Sequence, residues 1–321
     1  AFQAFFEDLT LKAQEAMGCD LPPLILQGEP VLALEGAAAS LIAKDDVVLN
    51  LASGVYGKGF GYWAARYAKK VEEIEVPYDT AIDPEQVRAF LKAHPEVKIV
   101  CVCHHDTPSG TLNDIDAIGA VVAEAGALLL VDAVSSWGGM PTSPTASQAG
   151  IYVTGPNKCL GCPPSLSLVA VSEAAWEKIE ANPDAPFASM LSLKDWKNAW
   201  KKTEPFPFTP SVAEINGLDA ALERYLAEGE EAVWARHALT AAACRARTGP
   251  SSSMSMGKRR PVSIPVRPAS AACRRHSSRL TSSDSSARSS FHHAIGAMPS
   301  FAFGIRHPAA AWRGRLPAPR G

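Results

Sequence analysis

Two ionisable side chains of this 321-residue sequence each come directly after an apolar segment, where they could act together on a carbonyl group and a ring nitrogen. Asp132 ends the run ALLLVD, and Lys158 comes 26 residues later, just after the run IYVTG. A desolvated lysine amine can form a Schiff base with a carbonyl group. A buried carboxylate needs a partner, and a pyridinium nitrogen that it keeps protonated is one. The alternatives are a helix cap or a salt-bridge partner for Asp132 and a solvated surface charge for Lys158.

A glycine-rich turn and a polar loop supply further candidate contacts. In the turn SGVYGKGFG, the glycines would let the backbone approach a ligand, and Tyr56 would offer a ring for stacking. The glycine spacing and Lys58 match neither a dinucleotide fingerprint nor a Walker loop, so both nucleotide sites are rejected. In the loop HHDTPSGT, Thr107 could donate to a ring hydroxyl or orient Asp132. The alternatives are that Tyr56 is a core residue and that the loop HHDTPSGT is a plain turn.

Strands and helices alternate for about 180 residues around these candidates. The segments VVLNLA, VEEIEVPY, VKIVCVC, ALLLVDAV, IYVTG and LSLVAV predict strands, and helical segments lie between most of them. This alternation predicts an α/β fold with a mostly parallel central sheet and helices on both faces. Ligands of such sheets bind beyond the carboxyl ends of the strands, so we expect the candidate side chains to meet at one edge.

Composition divides the chain into three parts. Residues 1–210 predict a large α/β catalytic domain, and residues 211–247 predict two helices that begin a smaller C-terminal domain. Residues 248–321 contain 12 Lys and Arg, 15 Ser and the single acid Asp284, which leaves 19 bases and 32 acids in residues 1–247. The tail is therefore near +11 and predicted to be disordered or frameshifted. The rest, near −13, will not attract nucleic acid or an anionic membrane.

The cysteines indicate neither a disulfide framework nor a metal site. Their number, seven, is odd, which together with their apolar surroundings predicts reduced thiols in a cytoplasmic protein. Cys101, Cys103 and the pair Cys159 and Cys162 offer soft ligands. However, Cys101 and Cys103 share one face of a buried strand, and the sequence has no second CxxC or HxxxH pair. We therefore predict no bound metal.

Six stretches of the sequence resemble the class V, fold-type I aminotransferases, in particular the group of alanine–glyoxylate and serine–glyoxylate transaminases. They are LQGEP, NLASGVYGKGFGYWA, VCHHDTPSGT, VDAVSSWGGM, YVTGPNKCLG and PFPFTPSVAEINGLD. The resemblance implies that Lys158 forms the Schiff base and moves a proton. It also implies that Asp132 holds the pyridine nitrogen, that Tyr56 stacks on the ring and that Thr107 contacts the ring's 3-oxygen region. Asn157, beside Lys158, joins this binding set.

The resemblance extends from Ala1 to about Arg247 and implies a homodimer or homotetramer in which Thr209 reaches the partner's site. Relatives have an arm before the point that corresponds to Ala1. After Arg247 they have a small domain with an arginine that binds the keto-acid carboxylate. Residues 248–321 do not match that domain, so no arginine is assigned, and we expect impaired carboxylate binding or poor folding.

Glu29 distinguishes between subtypes of this family. It lies at the start of a predicted helix, where backbone N–H groups would otherwise cradle a cofactor phosphate. Its carboxylate favours an unphosphorylated vitamin, converted in the reaction pyridoxamine + pyruvate to pyridoxal + L-alanine, a step of vitamin B6 degradation with no retained cofactor. The alternatives are a helix-dipole acid without a ligand, an alanine– or serine–glyoxylate aminotransferase that depends on pyridoxal phosphate, and an inactive frameshifted product.

Overall fold

Helices and strands alternate through residues 1–248, the part of the chain that the computed structural model describes. The helices are α1 (Phe2–Met17), α2 (Pro30–Leu41), α3 (Val55–Tyr67), α4 (Pro84–Ala93), α5 (Ile115–Glu124), α6 (Glu173–Ala181), α7 (Val212–Glu228) and α8 (Glu230–Thr248). The strands are β1 (Leu24–Gln27), β2 (Val47–Ala52), β3 (Lys70–Glu75), β4 (Val97–Cys103), β5 (His105–Asp106), β6 (Thr111–Leu112), β7 (Leu128–Asp132), β8 (Ile151–Thr154) and β9 (Leu166–Val171). The predicted disordered or frameshifted tail lies, from residue 249 on, outside the described residues.

Seven strands form one sheet in the order β1-β9-β8-β7-β4-β2-β3. The pairs β3–β2, β2–β4, β4–β7 and β7–β8 are parallel, while β9 runs antiparallel to both β8 and β1. The strands β4, β7, β8 and β9 are buried almost throughout, as expected for a sheet covered on both faces. The predicted mostly parallel α/β fold is confirmed.

Local signals in the sequence explain where several helices begin. Asp83 caps α4 by accepting a hydrogen bond from the Glu85 amide, and Ser172 caps α6 by accepting one from the Ala175 amide. Each of these caps contributes about 1 kcal/mol to stability. The segment SGVYGKGFG, predicted as a glycine-rich turn, is instead helical from Val55, where α3 begins.

The strands that carry the candidate residues all end at the same edge of the sheet. Because β1 and β8 are both antiparallel to β9, β1 points in the same direction as β2, β4, β7 and β8. The last residues of these five strands are Gln27, Ala52, Cys103, Asp132 and Thr154. The segments that follow them form the carboxyl edge of the sheet, where ligands bind in such folds.

A close contact between α5 and the loop before β8 makes a testable demand on one position. A side chain at Gly119 would overlap the backbone carbonyl of Ser147, whereas a side chain at Gly217 in α7 would meet open space. We expect Gly119→Ala to destabilise the fold by about 1–3 kcal/mol through overpacking. Gly217→Ala, the matched control, is expected to stabilise it by about 0.5–1 kcal/mol, because alanine favours helix. Urea unfolding midpoints measure both, and equal shifts would contradict the contact.

No helix within residues 1–248 combines the length and apolar character needed to cross a membrane.

Candidate active site

Lys158 and Tyr56 come together at the carboxyl edge of the sheet. Lys158 is exposed in the loop after β8, and its Nζ lies 5.5 Å from the centroid of the Tyr56 ring. Tyr56, in the first turn of α3, is 44% exposed. One side chain thus presents an amine and the other an accessible aromatic face, at a separation typical of a cation–π contact.

The backbone of the Lys158 loop is held by α7. Arg224 of α7 donates a hydrogen bond from Nη2 to the carbonyl oxygen of Leu160 at 2.8 Å, and Leu160 itself is buried. Within the loop, the Gly161 amide donates to the Lys158 carbonyl at 3.2 Å. The Cys162 thiol is 3.8 Å from the Gly217 carbonyl oxygen, which adds a weak contact to the same helix. These contacts restrain the loop while the Lys158 side chain faces outward.

Asp132, the last residue of β7, is buried without a cationic side chain in hydrogen-bonding contact. Its Oδ1 accepts a hydrogen bond from the Val134 amide at 3.0 Å, and Cys103 lies directly opposite it in the β4–β7 pairing. Burial raises the pKa of Asp132 to about 6, although the Val134 amide, the Lys158 ammonium and the Cys103 thiol each favour the ionised form. A carboxyl group in this setting gains stabilisation from a protonated ring nitrogen.

Glu29 occupies the N-terminus of α2. Its carboxylate caps the helix by accepting a hydrogen bond from the Val31 amide at 2.9 Å. Asn157 is close to the same helix start, because a side chain at Gly155 would touch both Pro30 and Asn157 Oδ1. The predicted position of Glu29 at a helix N-terminus is therefore confirmed. Its predicted role in selecting an unphosphorylated ligand stays a prediction.

Polar atoms without partners surround the start of α2. Among the described residues, the buried oxygen atoms of Gln27, Asn157 and Ser165 have no hydrogen-bond partner. Ser165 adjoins this place, because its carbonyl accepts a hydrogen bond from the Gly28 amide at 2.8 Å. Unsatisfied buried polar atoms are costly, so this group suits a ligand that carries a hydroxyl or water that bridges to one.

The loop HHDTPSGT contributes a second polar group beside Lys158, to which the sequence assigned no role. His105 Nδ1 lies 3.1 Å from Ser135 Oγ, and the Ser135 hydroxyl donates its hydrogen to the His105 carbonyl oxygen. Because that hydrogen is committed, Nδ1 of His105 must be the donor to Ser135. Burial and then the Lys158 ammonium lower the pKa of His105. His105 is thus a neutral imidazole near pH 7.

Asp106 and His104 belong to the same loop after β4, which was expected at this edge of the sheet, but the sequence assigned neither a role. Asp106 is fully buried and accepts a hydrogen bond from the Tyr56 amide at 2.7 Å. His104 Nδ1 lies 2.9 Å from Ser136 Oγ, and burial lowers the pKa of His104 to about 4. The signal available in the sequence was the position of both residues at the end of a buried strand.

Two further predicted site residues are exposed in the free chain. Thr107 is exposed in the turn between β5 and β6, and Thr209 is exposed in the segment that precedes α7. The predicted contact of Thr107 with a ring oxygen and the predicted reach of Thr209 into a partner's site both remain predictions.

The residues at this edge fit a pyridine that carries an aldehyde or an amine. For such a ligand, Tyr56 would supply a face for the ring, Asp132 a carboxyl group for the ring nitrogen, and Lys158 an amine for the carbonyl carbon. The unpartnered oxygen of Asn157 beside Glu29 provides a place for a polar ring substituent. Within residues 1–248, no group of three or more His, Cys, Asp or Glu side chains is arranged to hold a metal ion.

Comparison with known proteins agrees with this chemistry. Residues 59–280 match the family model of the class-V aminotransferases. Over 246 residues the chain is 68% identical to pyridoxamine–pyruvate transaminase of Mesorhizobium japonicum, which covers 77% of this chain and 63% of that protein. The crystal structure of pyridoxamine–pyruvate aminotransferase from Mesorhizobium loti matches with a TM-score of 0.76 at 68% identity, over 77% of this chain and 63% of that one.

A more distant solved structure shares the fold. Alanine–glyoxylate aminotransferase from a Nostoc species matches with a TM-score of 0.70 at 27% identity, over 74% of this chain and 63% of that one. The chain thus spans less than two thirds of the length of these relatives. Class-V aminotransferases use pyridoxal phosphate and act on small molecules.

Proposed function

The chain belongs to the class-V aminotransferases, and from this premise we propose that it transfers an amino group from pyridoxamine to pyruvate, forming pyridoxal and L-alanine. Pyridoxamine and pyridoxal are then substrate and product, and no cofactor is retained. The relative with 68% identity is named pyridoxamine–pyruvate transaminase. The proposal includes a homo-oligomer and a cytoplasmic location, in keeping with the family resemblance and the odd number of cysteines.

One observation carries the choice of an unphosphorylated substrate. The Glu29 carboxylate fills the N-terminus of α2 and takes the Val31 amide hydrogen that a phosphate oxygen would otherwise accept. A helix N-terminus attracts anions, but here the anion is part of the protein. A phosphate dianion at the same place could not accept the hydrogen bond of the Val31 amide and would be repelled by the carboxylate.

Each residue of the site has a distinct task in this reaction. Tyr56 stacks on the pyridine ring, Glu29 and Asn157 bind its 5′-hydroxymethyl group, and Asp132 keeps the ring nitrogen protonated. A protonated pyridine ring withdraws electrons from the substrate carbon where a proton is lost. The pyridoxamine amine condenses with the pyruvate carbonyl and releases water. The Lys158 amine takes the proton from the pyridoxamine carbon of this imine and returns it to the pyruvate carbon on the other side of the imine nitrogen, and it forms a Schiff base with the pyridoxal carbonyl in the free state.

The environment supports proton transfer by Lys158. His105 is neutral near pH 7 because burial and the Lys158 ammonium lower its pKa, so it adds no positive charge beside the amine. The contact of Arg224 with the Leu160 carbonyl restrains the loop backbone. The amine can therefore reach both carbon atoms that flank the imine nitrogen while its backbone stays in place.

The absorbance spectrum of the purified chain tests the proposal. We expect added pyridoxal to produce a Schiff-base band near the visible edge, which added pyridoxal phosphate does not produce. A band with pyridoxal phosphate that survives dialysis would instead assign the chain to the transaminases that retain this cofactor. Absence of a band with either compound would show that the chain lacks a working site.

Replacing Glu29 by serine is expected to relax the discrimination against phosphate. Serine caps helices well, so α2 should remain folded while the negative charge is lost. We expect the affinity for pyridoxal phosphate to rise by about tenfold or more, which corresponds to about 1.4 kcal/mol. Titration of the Schiff-base band measures this change. The matched control is Asp83→Ser, which alters the cap of α4 in the same way, and a rise in both variants would contradict a role for Glu29.

A further inference from the structure

We propose that Asp106 is a positioning residue that fixes the Tyr56 ring against the substrate ring. The inference rests on the proposed function, because it assigns Asp106 a part in binding the same pyridine. Asp106 is fully buried at the end of β5, and the tasks described above leave it without a role.

Hydrogen bonds connect Asp106 to the residue that stacks. Asp106 Oδ2 accepts from the backbone amide of Tyr56 at 2.7 Å and from that of Gly57 at 3.4 Å. These amides belong to the first turn of α3, whose N–H groups have no partner within the helix. A carboxylate at this place is favoured by the helix dipole as well as by the hydrogen bonds.

The approach of Asp106 to α3 is so close that it requires glycine at position 54. A side chain on Gly54, the residue before α3, would overlap the carboxyl group of Asp106. Gly54 itself makes no side-chain cap for the helix. Asp106, 52 residues away in sequence, therefore replaces the local cap that most helices carry at this position.

Asp106 is itself held in place by the β5–β6 hairpin. It pairs with Thr111, and its carbonyl accepts a hydrogen bond from the Gly110 amide at 2.8 Å. Ser109 Oγ lies 3.5 Å from Asp106 Oδ1. Because the hairpin holds the Asp106 carboxyl group in place, that group can restrain the backbone of Tyr56. The ring that faces Lys158 then projects from a fixed backbone position.

A residue that only caps a helix stabilises that helix but has no specific effect on ligand binding. A residue that positions Tyr56 should affect both. Asp83 is such a cap, since it accepts a hydrogen bond from the Glu85 amide at the start of α4. Asp106 differs because the amide that it holds belongs to Tyr56. Loss of Asp106 should therefore affect pyridoxal binding through Tyr56, while loss of Asp83 should affect stability alone.

The test compares Asp106→Ala, Asp106→Asn and the control Asp83→Ala in the full chain, with and without Tyr56→Ala. Hydrogen exchange of the amides of residues 55–57 measures the anchor without any ligand. Titration of the Schiff-base band with pyridoxal, together with its circular dichroism, measures ring placement. We expect Asp106→Ala to speed exchange at these amides, weaken pyridoxal binding about tenfold and diminish the dichroism of the band.

Asp106→Asn keeps an oxygen that can accept from the Tyr56 amide, so we expect its affinity to stay within about threefold of the unaltered chain. In the Tyr56→Ala background, Asp106→Ala should cause no further loss, because both changes act through one ring. Asp83→Ala should leave pyridoxal binding unchanged.

Several results would overturn the proposal. Unchanged exchange at residues 55–57 in Asp106→Ala would do so, as would a loss of affinity that adds fully to that of Tyr56→Ala. If Asp106→Ala does not fold, Asp106→Asn provides the test. A tenfold loss of pyridoxal affinity in Asp106→Asn, with the amides of residues 55–57 still protected from exchange, would overturn the proposal. If the unaltered chain gives no band with pyridoxal, the proposed function fails, and the exchange measurement alone then decides whether Asp106 anchors Tyr56.

Discussion

Replacement of Lys158 by alanine is expected to abolish the absorbance band with pyridoxal and to lower the rate of transamination by about a thousandfold or more. The amine at this position, 5.5 Å from the Tyr56 ring centroid, is the group proposed both to bond the carbonyl carbon and to carry the proton. Neither step has a substitute in an alanine side chain. The spectrum and the rate of alanine formation measure the two losses separately.

A second lysine provides a matched control for this prediction. Lys201 Nζ lies 5.8 Å from the ring of Trp200, an arrangement that resembles the one at the site but involves no strand end. Lys201→Ala should retain both the band and the rate. An added primary amine of small size should partly restore proton transfer to Lys158→Ala, which would show that the variant is folded. A Lys158→Ala protein that still forms the band would refute the assignment of the Schiff base.

Replacement of Asp132 by asparagine is expected to lower the rate by about two orders of magnitude or more, while it makes the free protein more stable. The amide cannot hold a proton on the ring nitrogen by charge, so the ring withdraws electrons less well. The rate of pyridoxamine consumption measures this effect. A rate close to that of the unaltered chain would show that Asp132 does not act on the ring nitrogen.

The sign of the stability change follows from the pKa of Asp132. Burial raises this pKa from an ordinary 3.8 to about 6, so between these pH values the folded chain binds more protons than the unfolded chain. The free energy of unfolding therefore falls as pH rises through this window, and the cost is fully present above pH 6. Asp132→Asn removes a cost of up to about 3 kcal/mol at pH 7.

Urea unfolding across a pH series tests this sign. The difference between Asp132→Asn and the unaltered chain should shrink towards zero below about pH 4, where the carboxyl group is protonated in both states. A variant that is less stable than the unaltered chain at pH 7 would show that the charged carboxyl group has a stabilising partner in the free protein.

The central residues of the site could be predicted because their position depends on simple rules. Asp132 and Lys158 both come directly after apolar runs, and parallel strands bring such residues to one edge. Tyr56, predicted in a glycine-rich turn, is also at this edge, although the segment is the first turn of α3. The apolar segments indicate which strands are buried and in which order they follow one another along the chain. This information was sufficient to predict the fold class and this part of the site.

Contacts between distant segments could not be predicted in the same way. The hydrogen bonds of Asp106 to the start of α3 span 50 residues, and the contact between His105 and Ser135 spans 30. Hydrophobic patterns do not determine which polar side chains meet across two strand ends. The antiparallel direction of β9 was equally hidden in the run LSLVAV, although the absence of a helix between β8 and β9 was an available signal.

The cap formed by Glu29 limits the routes by which mutation could alter ligand choice. Glutamate codons reach Gln, Lys, Val, Ala, Gly and Asp by one nucleotide change. Asp keeps the negative charge, and of the others Gly alone is well tolerated at the start of a helix. Since the carboxylate both caps α2 and, in the proposed function, excludes phosphate, glycine is the one-step replacement that removes the charge at little cost to the helix. Descendants of this gene that came to accept a phosphorylated ligand would therefore be expected to pass through glycine at position 29.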